Sequence, residues 1–150
     1  MRAAFGGAIA VVLLGLWVYL IVTGCQIVAC ANTTGCVAPT AASFNDVMAQ
    51  ALAVIGGLVS ALVIAELAVT RSGEAPAAHL LVANASPRAK LALQVISGIY
   101  VFAWLVAGLA ALLFGMRSPH TLQPLTSVGQ SWLGLAVAAA YAYFGLRPSQ

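Results

Sequence analysis

Four long apolar tracts, parted by turn formers and charges, organise the chain. They cover residues about 5–28, 44–69, 91–116 and 128–146. A helix crossing the hydrocarbon core of a bilayer needs about 20 predominantly apolar residues, and each tract has or nears that length. The first and third carry no charge, the second holds Asp46 and Glu66 toward its two ends, and the fourth is the shortest. Start signals agree with these limits. Ser43-Phe-Asn-Asp46 and Ser127-Val-Gly-Gln130 fit the capping box, in which the first residue caps the N3 amide and the N3 side chain reaches back. Ser86-Pro87 sets a hydroxyl before a proline at the first helical position, where the missing N–H is an orphan anyway. Gly115, Gly145 and Pro148 punctuate the ends of the third and fourth tracts.

The pattern predicts an all-α fold. It is a single transmembrane domain over 1–150, a polytopic four-helix bundle with antiparallel neighbours and short outer loops. The connection 70–90 is the long one, with Gly73, Pro76 and Pro87. Its apolar stretch from His79 to Ala83 is too short to span and suits the headgroup boundary or a loop anchor. No internal repeat of the inverted-transporter kind is visible.

Charge orients the chain. If the tracts alternate in direction, Arg2, Arg71, Arg88, Lys90 and Arg147 share one side and Arg117 stands alone on the other. Cytoplasmic loops hold the excess of positive residues, so both termini are expected in the cytoplasm. Val22-Thr-Gly-Cys25 resembles a bacterial lipoprotein cleavage box. The apolar run before it exceeds the usual signal-peptide core of about 7–15 residues, so it reads as a span.

Composition supports lipid as the solvent. The chain is 63% hydrophobic and 6% charged, with a mean hydropathy of +1.04, whereas a soluble domain is about 25% charged. The net charge of +3 comes from six Lys and Arg residues. They are scattered singly, so no basic stripe could follow a nucleic-acid backbone. Arg outnumbers Lys five to one, a bias common in GC-rich bacterial genomes, and the expected location is a bacterial inner (cytoplasmic) membrane.

Helices already in lipid associate through close contact and hydrogen bonds, which favours small residues four apart. Ala49, Ala53, Gly57, Ala61 and Ala65 form such a ladder in the second tract, with Gly56 and Ser60 beside it. Ala103, Ala107, Ala111 and Gly115 repeat it in the third, and Gly134, Ala138 and Ala142 give a shorter version. Trp17, Tyr19, Trp132, Tyr141, Tyr143 and Phe144 fall toward tract ends, as interfacial belt residues do. Trp104 is mid-tract and expected against a neighbouring helix or lipid.

Candidate chemistry is sparse. Glu66 is the only acidic residue well inside a tract, and an intramembrane carboxylate is a default candidate for a proton or ion site. Its plainer account is a position one turn before Arg71, close to headgroups and water. Asp46 is explained by the capping box. Cys25, Cys30 and Cys36 sit at or beyond the outer end of the first tract, where a disulfide can persist. Cys30–Cys36 is the preferred pair, because Asn32-Thr-Thr-Gly35 between them can turn. A thiol oxidoreductase needs a second cysteine pair, which the chain lacks. Asn32-Thr33-Thr34 is formally a glycosylation sequon. His79 and His120 fall on opposite sides of the membrane. Gln50, Gln94, Ser97 and Gln130 suit helix–helix hydrogen bonds as well as an aqueous path. No nucleotide-binding or hydrolase motif occurs, and no cofactor or metal is expected.

The expected role is therefore a small non-enzymatic membrane subunit. It packs by its small-residue faces against other membrane subunits or copies of itself, with the lipid bilayer as its remaining partner. A self-assembling pore or holin-like channel lined by Gln50, Ser60 and Glu66 is the alternative, and a thiol-redox membrane protein the weaker one.

Overall fold

The computed structural model describes the backbone of residues 2–33, 36, 44–69 and 87–144, and the side chains of 7–33, 36, 44–65, 67, 95–141 and 144. Four helices account for nearly all of it: α1 (Arg2–Ala31), α2 (Asp46–Val69), α3 (Pro87–Arg117) and α4 (Gln123–Phe144). No strand occurs among the described residues. Expectations placed on Ser43, the connection 70–86 with His79, Tyr143, Gly145, Arg147 and Pro148 lie outside the described residues. So do those on the side chains of Glu66, Arg88, Lys90 and Gln94.

Helix ends are closed by local hydrogen bonds. α1 ends where Asn32 Nδ2 donates to Val28 O (2.8 Å) and Thr33 Oγ1 to Ala29 O (3.0 Å), satisfying carbonyls that the helix leaves open. α2 starts one residue after Asn45, whose Oδ1 accepts the Met48 amide at 2.9 Å. Asn45 therefore caps this helix. Asp46 lies in the first turn, where a carboxylate favours the helix dipole. α3 begins at Pro87, as the Ser86-Pro87 signal anticipates. α4 begins at Gln123, more than a turn before the expected start, so Ser127 is inside the helix and caps nothing. Pro124 in the first turn and the amides of Leu125 and Thr126 on Leu122 O set that earlier beginning.

Neighbouring helices follow the ring order α1, α2, α4, α3. α3 packs most extensively on α4, α2 also lies along α4 and α1 along α3, while α2 and α3 touch only weakly across a diagonal. Asn32 Nδ2 donates to Ser118 Oγ at 3.0 Å, which brings the C-terminal ends of α1 and α3 together. Parallel neighbours thus join the expected antiparallel ones: α1 beside α3, and α2 beside α4. A short turn at 118–122, closed by the Thr121 amide on Ser118 O (3.2 Å), links α3 to α4.

The core holds all three tryptophans. Trp17, Trp104 and Trp132 are 0%, 1% and 6% exposed, so Trp17 and Trp132 are interior residues and not belt residues. Glycines opposite them make this possible. A Cβ added at Gly56 would stand 2.7 Å from Trp17 Nε1, and one at Gly108 would overlap the Trp132 indole. Gly115 also works inside the bundle, since α3 runs past it to Arg117 and its missing Cβ admits the backbone of Thr126.

The outside is apolar on every helix. Val12, Tyr19, Val47, Ile99, Phe102, Leu133 and Phe144 are among many large hydrophobic side chains left exposed. Such a surface suits lipid or other membrane helices as its cover. Three segments are long and apolar enough to cross a membrane: Gly7–Ala31, Asp46–Ala65 and Val95–Arg117. α4 does not join them, because Gln123, Thr126, Ser127, Gln130 and Ser131 dilute its first half.

Candidate functional site

Among the described residues, side-chain hydrogen bonds join helices within the bundle: a part-buried one from Thr126 Oγ1 to Gly115 O (3.4 Å) and a fully buried one. Ser60 is the buried polar residue among the described ones, and its Oγ accepts Trp104 Nε1 at 3.0 Å. The Trp104 ring tilts at 55° to Trp132 with centroids 5.6 Å apart, a favourable aromatic arrangement. Trp17 Nε1, Trp132 Nε1 and Tyr100 OH are buried without a hydrogen-bond partner. This is a packed aromatic interior, in which the Trp17 indole rests directly on Gly56. Ser60 is turned inward, away from any lumen that the outer face of α2 would line.

The two sequence ladders separate here. In α3, Ala107, Ala111 and Gly115 are buried and Ala103 half-buried, so that ladder is consumed within the chain. In α2, Ala49 is half-buried, while Ala53, Gly57, Ala61 and Ala65 are exposed, and a Cβ at Gly57 would meet nothing within 4 Å. The adjacent Gly56 and Ser60 do the packing instead. Periodicity finds both ladders; it does not say which is already occupied.

At the other candidate positions the geometry is simple. The Cys30 and Cys36 sulfurs lie at disulfide distance, with Cα atoms 5.4 Å apart, and Cys25 is free. Cys25 lines a groove of about 520 Å³ between α1 and α3, with Val18, Val22, Gln26, Phe102 and Val106. A second hollow of about 500 Å³ continues it at the turn end, lined by Asn32, Thr33 and Arg117 among others. Ala29 and Phe114 belong to both. Sequence reading misses this crevice, because its walls come from two helices that are not consecutive. His120 is exposed in the α3–α4 turn. Glu66 lies within α2, with its side chain outside the described ones. Among the described residues, no three His, Cys, Asp or Glu side chains gather as a metal site.

No protein-family model, curated protein or solved structure matches this chain.

Proposed function

We propose that this chain is a small non-enzymatic membrane subunit that crosses the bilayer four times with both ends cytoplasmic. Its role is to bind other membrane helices, from partner subunits or further copies, through the outer face of α2. The observation that carries the reading is the run Ala53, Gly57, Ala61 and Ala65, left exposed in a helix whose other face is packed. Small residues at that spacing let a second backbone approach closely, and the open space beside Gly57 is where it would lie. A fourth crossing by α4 is supported by its 22 residues, its packing along α2 and α3, and its exposed Leu133, Val137, Tyr141 and Phe144. Orientation rests on the Arg and Lys distribution.

The test is native mass spectrometry of the full chain extracted gently from its own membranes, with and without Gly57→Leu. The expected result is a discrete assembly that the substitution dissociates while helicity stays unchanged. A monomer in both samples would sink the proposal.

A second reading keeps α2 but turns its outer face to water, as a self-assembling pore. Gln50, exposed on that helix, favours it. Solute leakage from expressing cells, altered by Glu66→Ala, is its signature, and tight cells would remove it.

A further inference from the structure

The crevice between α1 and α3 has the form of a single-lipid site. It follows one seam, from Val18 to Thr33 on α1 and from Phe102 to Arg117 on α3. At 1.5 Å per residue the α1 wall is about 22 Å long, more than the half of a ~30 Å hydrocarbon core that one leaflet supplies. Its deeper part is apolar and opens on the lipid-facing surface between exposed Val22, Phe102 and Val106. Its turn end is polar, with the Asn32 amide, the Thr33 hydroxyl and the Arg117 guanidinium. Arg117 is exposed and makes no ion pair among the described residues. Gln26, on the same wall, is exposed without a hydrogen-bond partner among the described residues. An amide facing hydrocarbon needs an acceptor, and a lipid ester carbonyl provides one.

We infer that the α1–α3 crevice holds one phospholipid with an anionic headgroup. One acyl chain lies on the apolar walls, and the headgroup phosphate meets the Arg117 guanidinium. Its donors are uncommitted among the described residues, whereas those of Asn32 and Thr33 are spent on Val28 O, Ser118 Oγ and Ala29 O. The choice of an anionic lipid follows from charge. A single uncompensated cation at the mouth attracts a net negative headgroup and gives a zwitterionic one no net gain. The inference is independent of the α2 interface, since the crevice and the exposed ladder lie on different helices.

The probe is an equal mixture of phosphatidylglycerol and phosphatidylcholine equilibrated with the purified full chain in detergent. Lipid retained per chain after gel filtration is counted by mass spectrometry. The expected result is one lipid per chain, with phosphatidylglycerol favoured about fivefold, the factor that one basic residue near a headgroup supplies. Arg117→Gln brings the two lipids to parity. Ala29→Phe, placed at the joint of the two hollows on an exposed position, loses both lipids with helicity retained. Ala110→Leu fills the apolar part from the opposite wall and gives the same loss should Ala29→Phe fail to fold. Equal retention of the two lipids by the unaltered chain, or full retention by both filling variants, overturns the proposal. Retention replaced by a second copy of the chain at this seam overturns it equally.

Discussion

Gly56 and Gly57 stand side by side in the sequence and have opposite duties. A methyl at Gly56 would sit 2.7 Å from the Trp17 indole nitrogen, whereas one at Gly57 meets open space. Gly56→Ala should cost about 1–3 kcal/mol through overpacking. Gly57→Ala should leave the stability of the isolated chain unchanged or raise it slightly, since alanine is the better helix former. Reversible unfolding in mixed micelles, followed by tryptophan fluorescence, separates the two; equal effects would contradict the assignment of faces. Ser60 acts on the same scale. Ser60→Ala leaves Trp104 Nε1 as a third unpartnered indole and should cost about 1 kcal/mol, measured in the same assay. A double glycine is visible in the sequence, but which of the pair packs depends on where the Trp17 ring arrives from another helix.

At the scale of elements, the hydrophobic tracts gave four helices with small errors at their ends. Those errors have physical causes. α2 starts at Asp46, two residues after the tract begins, and its cap is Asn45. α4 gained an extra turn because Pro124 and the tight 118–122 turn nucleate it before Ser127 is reached. For Trp132 the interfacial placement failed because α4 starts at Gln123, five residues before the tract, which moves this residue toward the middle of the helix. Trp17 is central in its tract and in α1 alike, and its burial is set by Gly56 opposite it. The crevice was not legible at all, since α1 and α3 are not consecutive and their parallel pairing is a tertiary fact. One prediction belongs to α1 as an element. The Cys30–Cys36 pair clips its C-terminal turn to the following segment, so Cys30→Ser should cost about 2 kcal/mol by the loop-entropy relation. Non-reducing peptide mapping should find Cys25 as the free thiol. A membrane-localised redox activity abolished by Cys30→Ser would instead point to chemistry at these cysteines.

The whole molecule is two antiparallel hairpins, α1–α2 and α3–α4, set so that every interface between them is a parallel one or a diagonal. α1 lies beside α3 and α2 beside α4, and Trp104 reaches from the second hairpin to Ser60 of the first. The sequence linking the hairpins, 70–86, therefore joins helices that hardly touch. Covalent continuity there contributes little to what holds the hairpins together. Expressed as two separate polypeptides, 1–75 and 76–150, the halves should find one another in the membrane and co-purify. Trp104→Ala, which removes the side chain that reaches Ser60 of the other half, should weaken their association. A chain organised this way should tolerate a cut, a tag or a fusion at its middle.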